Sequence, residues 1–384
     1  MTTISLNPYE KLRIKARKDF KEGVKPVDGR QPIPDEVALA MIQELDVPKD
    51  SLIGVYDAFL ILTSHLRECG FTNIVVLENV HKGLTSLQEM YYNSVKTVCD
   101  NSNGITYYVP PMNDYNRCDM KFDVIIGNPP YQAGTKTSGN TIWDDFVAQS
   151  LELLNDGGYL SFINPPRWRQ PEDELSYIYK DYQLVSLKIN DAKEGKKVFK
   201  ASTPFDVYTI QKTAPYKKSY IEFSDGVSGE YDVTNFPFIP NSMIDFWMEA
   251  FECDDEKLSA MWTYSHDPRL KHVFTEENKP ENAIYPLTHT FTKKGITKRY
   301  TTKQHEYQHV SKVIFGDSGE IQPIFDSGEY GCTQHSIFIP VGDKEEGNKV
   351  INFLTNKPEI IKSITFSHRQ FGPKPLDSLP KSFL

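Results

Sequence analysis

A chain of 384 residues with 39% hydrophobic and 25% charged residues, including 22 Phe and 21 Tyr, carries enough apolar material for a packed core and is too long for one small module, so a disordered chain is excluded and two domains are expected. The net charge of −9 excludes a uniformly basic nucleic-acid binder, but one basic face on an acidic protein suffices for phosphate, so the distribution of charge matters more than its sum. Cys69, Cys99, Cys118, Cys253 and Cys332 form no C-x-x-C pair, the histidines show no metal-ligand spacing, no apolar run approaches a membrane span, and Met1-Thr2-Thr3-Ile4 lacks the blocks of a signal peptide; the expectation is a cytoplasmic protein with no metal and no membrane partner.

Residues 1–30 are polar and rich in Lys and Arg, and read as a separate amino-terminal segment. Pro32 and Pro34 punctuate the chain, and Asp35 reads as the N-cap of a helix from about Glu36 to Leu45 that Pro48 stops. The text then alternates. Strands are predicted at Ile53–Tyr56, Ile74–Leu77, Ile105–Val109, Phe122–Ile126, Tyr159–Ile163, Leu184–Ile189 and Val207–Gln211. Helices are predicted at Ile61–Cys69, Thr85–Val95, Ile142–Leu154 and Glu172–Tyr182, with a turn at Asp156-Gly157-Gly158. Strands alternating with helices, and strands that are apolar throughout, predict a doubly wound α/β domain over 31–215. Its sheet is expected to be parallel, covered on both faces, and to bind ligands at the carboxyl ends of its strands. After about Pro215 aromatics, Gly, Pro and Thr dominate. Met243–Phe251, Lys349–Leu354 and Pro358–Thr365 read as helical and Val313–Phe315, Ile321–Phe325 and Ser336–Pro340 as strands, which predicts a second, mixed α+β domain over 216–384.

Asn128-Pro129-Pro130-Tyr131 follows the strand Phe122-Asp123-Val124-Ile125-Ile126-Gly127. An exocyclic amine on an aromatic ring is a poor nucleophile, because its lone pair is drawn into the ring. Two acceptors aimed at its hydrogens favour the tetrahedral nitrogen that develops as it attacks a methyl group. The Asn128 side-chain oxygen supplies one acceptor and the Pro129 carbonyl the other. Pro129 and Pro130 stiffen the loop, so both oxygens are aimed before reaction. Tyr131 offers a flat face for a base, a contact worth about 1–3 kcal/mol. The plain alternative is a rigid turn after a core strand, with Tyr131 as packing.

On this strand and loop the chain resembles the N6-adenine DNA methyltransferases, in the arrangement with the cofactor region first, then N-P-P-Y, then a carboxyl-terminal target recognition domain, as in phage and plasmid modification methylases. The resemblance covers most of 30–212. It implies a Rossmann-like methyltransferase fold, S-adenosylmethionine as cofactor, duplex DNA as substrate and a flipped adenine held by Asn128, Pro129 and Tyr131. It also implies a cognate restriction endonuclease as a further partner and a bacterial or phage-infected cell as the setting. Asp57 stands at the family's glycine-rich turn, but Val55-Tyr56-Asp57-Ala58-Phe59-Leu60-Ile61-Leu62 lacks the glycines. Since glycine lets backbone approach a ligand closely, this means either an altered turn or a lost cofactor site. Glu78 ends the second strand and is placed to bind the ribose hydroxyls, unless it is a solvated strand-end carboxylate. Asn113-Asp114 resembles the motif whose acid, here Asp114, bonds the cofactor adenine. Pro32-Ile33-Pro34-Asp35 resembles the motif that packs over the methionine moiety. Phe205, at the family's late motif, either packs on the flipped base opposite Tyr131 or lies in the core. Asn164-Pro165-Pro166-Arg167-Trp168 mimics the catalytic loop but comes too late in the chain, and reads as structural, with Arg167 or Arg169 near phosphate.

Lys293, Lys294, Lys298, Arg299 and Lys303 place five cations in eleven residues with Thr and Tyr between them. Such a segment suits a phosphate backbone with polar side chains left to read base edges, or it is an ordinary solvated loop. Lys193, Lys196, Lys197 and Lys200 form a second patch, and Ser367-His368-Arg369-Gln370 a weaker one. Two alternatives to a DNA adenine methyltransferase stay open: a methyltransferase on a protein glutamine amide or RNA, which offer the same planar amines, and a non-catalytic DNA-binding relative, which the missing glycines would permit.

Overall fold

The computed structural model describes residues 10, 13, 14, 17, 18, 21, 32–57, 61–77, 105–108 (backbone only), 121–131, 142–292, 294–318, 321–367 and 370–384. The chain divides into two units, one of Met1–Pro166 and Glu174–Asn235, the other of Arg167–Asp173 and Phe236–Leu384.

The first unit is built on β1 (Leu52–Tyr56), β2 (Asn73–Leu77), β3 (Ile105–Tyr108), β4 (Phe122–Gly127), β5 (Leu154–Asn164), β6 (Gln183–Asn190), β7 (Phe205–Gln211), β8 (Ser219–Glu222) and β9 (Ser228–Tyr231), which form one sheet in the order β3-β2-β1-β4-β5-β7-β6-β8-β9. Its described helices are α1 (Asp35–Gln43), α2 (Ile61–Glu68), α3 (Trp143–Leu153), α4 (Tyr177–Lys180) and α5 (Ala192–Phe199). β3, β2, β1, β4 and β5 run parallel. Ile53, Val55, Ile74, Val76, Val124 and Ile126 share one buried cluster with Ile61, Leu62 and Leu66 of α2 and with Ala38, Met41 and Ile42 of α1. This is the expected doubly wound, Rossmann-like sheet, with one correction: β7 inserts between β5 and β6 and is antiparallel to both. An antiparallel return can be short, whereas a parallel strand requires a full crossover back to the starting edge; α5 and a few residues suffice to turn β6 into β7.

Three local expectations also change. Asp156-Gly157-Gly158 lies inside β5, where a register shift opposite Phe122 and Val124 absorbs it; Gly157 has φ of 79°. The helix predicted over 172–182 shortens to a 3-10 turn at Glu174–Ser176 followed by α4. Asp35 is not the N-cap of α1, because Pro34 holds that position. The Asp35 carboxylate is drawn instead to Arg17 at 2.6 Å and to His65 of α2 at 2.6 Å. The first unit also extends past 215, since β8 pairs parallel with β6 and β9 closes a hairpin on β8. The predicted helix at 85–95 lies outside the described residues.

In the second unit, β13 (Lys312–Gly316) is flanked by β14 (Ile324–Asp326) and β16 (Ser336–Pro340), and β11 (Tyr285–Thr292) by β12 (Gly295–Thr301) and β15 (Gly331–Cys332), with β10 (Val273–Phe274) on β12. Strand alternation divides its core. Val313, Phe315, Ile337 and Ile339 face Trp247 of α6 (Ile244–Glu252), Val350 and Phe353 of α7 (Lys344–Asn356) and Ile360 of α8 (Pro358–Ser363), whereas Ile314 and Phe338 pack with Phe291 and Cys332. Arg167–Asp173 joins this unit through Arg169, which is fully buried, donates to Ile239 O at 2.7 Å and Asn241 Oδ1 at 2.9 Å, and lies over the Phe366 ring.

Candidate active site

The strand order reverses between β1 and β4, the place where open α/β sheets bind ligands at their carboxyl ends. Tyr56 of β1 pairs with Gly127 of β4, and a Cβ at Gly127 would stand 2.5 Å from Tyr56 O and 2.6 Å from Tyr56 Cβ. Only glycine fits that approach. It brings the next residue into contact as well, since Asn128 N donates to Tyr56 O at 3.1 Å. The Tyr56 ring is held edge-on by Phe146 and Phe162, with centroids at 5.2 and 5.8 Å. Asp57 and Asn128, expected to serve cofactor and base, thus leave adjacent strands side by side.

Asp57 is buried, and its Oδ2 accepts from Thr63 N at 2.9 Å near the start of α2. A carboxylate that accepts from a backbone N–H at a helix start holds negative charge at the positive end of the helix. Gly54, the glycine that does precede Asp57, serves packing, since a Cβ there would stand 2.8 Å from Leu77 Cδ1.

Asn128 is buried, and among the described residues its Oδ1 has no hydrogen-bond partner. A buried acceptor left open costs on the order of 1–3 kcal/mol, a cost that a donor on a bound ligand would remove. Pro129 and Pro130 are buried behind it. Tyr131 is half-buried; its hydroxyl donates to Ile163 O at 3.2 Å, and its carbonyl accepts from Ile142 N at 3.2 Å, just before α3. Burial, and then the charge of Asp206, push the Tyr131 hydroxyl far above the ordinary phenol range, so it remains a protonated donor that clamps the ring.

The end of β5 adds a second polar group that sequence reasoning assigns to structure alone. Asn164 is fully buried and pairs in register with Asp206 of β7. The Tyr208 hydroxyl donates to Asn164 Oδ1 at 2.8 Å, while Asn164 Nδ2 has no partner among the described residues. Burial raises the Tyr208 hydroxyl well above its ordinary value, with the charges of Asp206, Tyr177 and Tyr131 adding to it. The second Asn-Pro-Pro in the sequence is the available signal. Asp206 and Tyr208, in an apolar strand, give none.

Pro32 is half-buried and precedes Ile33, which belongs to the core cluster under β1. Glu78, Asp114 and Lys293, with His368 and Arg369, lie outside the described residues. Phe205 is buried in the core against Phe199, centroids 4.9 Å apart. Arg169 serves the core of the second unit rather than phosphate, and Arg167 is held by Asp173 at 3.1 Å. Lys196 and Lys197 are exposed on α5, where Lys197 pairs with Glu194 at 3.0 Å. Within the basic segment, Gly295–Thr301 forms β12, paired antiparallel with β11, rather than a solvated loop. Lys294 and Lys303 are exposed, Lys298 donates to the Tyr330 hydroxyl at 2.6 Å, and Arg299 lies opposite Leu287. The fold also brings Glu276, which pairs with Lys279 three residues on, to Tyr300 of β12, from which the linear sequence keeps it at a distance.

Residues 72–199, which include the Asn128–Tyr131 loop, match the family described as Eco57I restriction-modification methylase. A curated relative, an uncharacterized adenine-specific methylase of Mycoplasma pneumoniae, is 48% identical over 54 residues, a stretch that makes up 13% of this chain and 12% of that protein. Among solved structures, the type IIL restriction-modification enzyme MmeI, solved in complex with DNA, aligns at 10% identity over 88% of this chain and 61% of its own, with a TM-score of 0.46. The type IIG restriction endonuclease BpuSI aligns at 10% identity over 97% and 61%, with a TM-score of 0.45. The M protein of the type I restriction enzyme EcoKI aligns at 11% identity over 49% and 47%, with a TM-score of 0.36. Among the described residues no helix is long and apolar enough to cross a membrane, and no group of three His, Cys, Asp or Glu could hold a metal ion.

Proposed function

We propose that the chain is a site-specific DNA adenine-N6 methyltransferase that uses S-adenosylmethionine. The observation that carries this reading is the open Asn128 Oδ1, buried on a glycine-locked turn at the strand-order reversal, within a segment that matches a modification-methylase family. The residues around it suit the cofactor. Asp57, a buried carboxylate beside a helix N-terminus and next to Asn128, matches a cationic amino-acid group, and Pro32 would border the same site. Glu78 and Asp114 complete it in this reading. The bound cofactor supplies the electrophilic methyl group.

The chain's own contribution is positional and electrostatic. Asn128 Oδ1 and the Pro129 carbonyl accept the two amine hydrogens and favour a tetrahedral nitrogen whose lone pair is withdrawn from conjugation with the ring. The prolines hold those oxygens in place, so little reorganisation accompanies reaction. Tyr131, its hydroxyl tied to Ile163 O, presents a clamped ring face to the flipped base. Phe205 supports that end of the sheet from the core. Lys196, Lys197, Lys293, Lys294, Lys298, Arg299 and Lys303 are the proposed phosphate contacts, with the second unit, from 236 onward, as target recognition domain. A cognate endonuclease as partner and a bacterial cytoplasm as setting belong to the same reading.

The test is transfer of labelled methyl groups to unmethylated duplex DNA, with the label recovered in N6-methyladenine. Asn128→Ala is expected to lower transfer by at least about a hundred-fold, the scale of removing one preorganised acceptor, while S-adenosylmethionine binding by calorimetry persists. Label appearing only in RNA or in glutamine side chains of protein would replace the substrate; unchanged transfer by Asn128→Ala would remove the mechanism.

A further inference from the structure

The Lys- and Arg-rich residues 1–30 have no part in methyl transfer as proposed above, and two of their cations are used for something other than phosphate. Residues 13, 14, 17 and 18 are helical, so Arg13 and Arg17 lie one turn apart on the same face. Arg13 is buried. Its Nη1 donates to Ser64 Oγ at 3.0 Å and lies 2.8 Å from Glu68 Oε2, its Nη2 donates to Glu68 Oε1 at 3.2 Å, and its Nε is 3.5 Å from Asp35 Oδ1. Arg17 Nη1 meets Asp35 Oδ2 at 2.6 Å, and its Nη2 donates to Ile33 O at 3.4 Å. Asp35 Oδ1 also accepts from His65 Nε2 at 2.6 Å. Three consecutive residues near the start of α2 therefore have separate anchors: Thr63 N on Asp57, the Ser64 hydroxyl on Arg13 and His65 on Asp35.

We propose that Arg13 and Arg17 are positioning residues for the cofactor site, which makes the amino-terminal segment part of the catalytic domain rather than a DNA-binding arm. This inference rests on the methyltransferase reading, in which Asp57 and Pro32 border S-adenosylmethionine. The two arginines act through the segments that carry those residues. A buried guanidinium is tolerated only where acceptors surround it, and its planar fork holds them in a fixed arrangement. Arg13 thereby fixes α2 against Asp35, one residue beyond the Thr63 N–H that holds the Asp57 carboxylate. Arg17 brackets Pro34: it holds the carbonyl before the proline and the carboxylate after it, and so sets the path of the chain from Pro32 into α1. Removing either cation leaves Asp35 short of a partner and lets α2 and residues 32–35 shift relative to each other. Cations already engaged by carboxylates have little charge left for phosphate, which separates these two from the exposed Lys294 and Lys303.

Calorimetric titration of the full chain with S-adenosylmethionine tests this. Arg13→Met and Arg17→Met are each expected to weaken Kd about ten-fold, the scale of a coupling between adjoining sites. Arg17→Lys, which keeps a cation for Asp35, recovers part of the loss. In steady state the KM for the cofactor rises, while kcat at saturation stays within about two-fold of wild type. Ile221→Val, buried in β8 towards the other edge of the sheet, is a destabilised control that keeps the wild-type Kd. Affinity for duplex DNA and its salt dependence, by fluorescence anisotropy, match wild type. An unchanged Kd in Arg17→Met overturns the proposal: a lower melting temperature alone makes the network structural, and a flatter salt slope makes the cations phosphate contacts. A Kd weakened equally in Ile221→Val overturns it too. Should Arg13→Met fail to fold, the half-buried Arg17 decides through its two variants. Wild-type binding that no variant alters removes the two arginines alone, whereas no binding of S-adenosylmethionine by wild type removes the methyltransferase reading with them.

Discussion

Gly127 shows how a single residue determines the site. Its missing side chain lets β4 approach Tyr56 O so closely that a Cβ would stand 2.5 Å away, and the obstacle is backbone, which cannot rotate aside. Gly127→Ala must therefore part β1 from β4 or shift Asn128. The expected result is a lower melting temperature, with a loss of about 1–3 kcal/mol as for other overpacked sites, and methyl transfer reduced further than cofactor binding. An unchanged melting temperature and activity would show that the strands can separate without cost. At this scale the sequence is informative where chemistry is written as a motif: Asn128-Pro129-Pro130-Tyr131 and Asp57 are legible. It is silent where function depends on what a side chain fails to bond. Nothing in the string distinguishes the open amide of Asn128 or Asn164 from a satisfied one, and nothing marks Arg169 as a core residue rather than a phosphate contact.

At the scale of elements, the β11–β12 hairpin turns a run of cations into a surface. Thr292 and Gly295 close it, with Gly295 at φ 117°, and the Lys298 ammonium lies over the Tyr330 ring at 4.6 Å. β11 and β12 are hard to recognise as strands from their residues because Thr, His, Lys and Arg occupy both faces in much of their length, so the alternation of buried and exposed positions is weak. If the hairpin lies on duplex DNA, Lys294→Ala and Lys303→Ala should each weaken binding and flatten the dependence of log K on log salt by about 0.9 for every phosphate no longer neutralised. Fluorescence anisotropy of labelled duplex across a salt series measures this, and an unaltered slope in the double variant would remove the hairpin from the interface. The helix α5 is comparable. Its lysines stand out in the sequence as a charge patch, whereas the Asp191 cap that starts the helix, accepting from Lys193 N and Glu194 N, does not.

For the molecule as a whole, acid should act unevenly. In the second unit, burial above all, then Arg299 and His335, pushes His289 down to about 4, with Asp267 opposing; burial, then His266 and Lys312, does the same to His305, also to about 4. Burial lowers His266 as well. These rings are neutral in the fold and titrate near their ordinary value once unfolded. The contribution of His289 and His305 is complete above about 6.5, shrinks below it, and is lost as pH falls through about 4, with His266 acting in the same direction. In the first unit, burial would raise Asp35, but hydrogen bonds from Arg17 and His65 outweigh it and hold the carboxyl below its usual range. That contribution persists until pH falls below the ordinary carboxylate value. The second unit is therefore expected to lose stability first between pH 6.5 and 4, read as an early loss of hydrogen-exchange protection in β11–β16 relative to β1–β7. Simultaneous loss in both units over that window would contradict the assignment.

Much of the first unit is legible in the sequence because its strands are buried on both faces and its helices on one, so hydrophobic period alone separates them. The loop at the end of β4 is legible because amine methylation needs rigid acceptors, and Asn-Pro-Pro-Tyr states them in consecutive residues. Tertiary structure decided what depends on partners distant in the chain. The reversal of β7 follows from a short return that no local pattern encodes, and residues 167–173 join the second unit because Arg169 finds its acceptors at Ile239 and Asn241. Packing likewise decides that the buried Asn128 Oδ1 stays open among the described residues while Asn164 Oδ1 is taken by Tyr208 of β7. A sequence lists donors and acceptors, and only packing determines which of them remain to be met by a substrate.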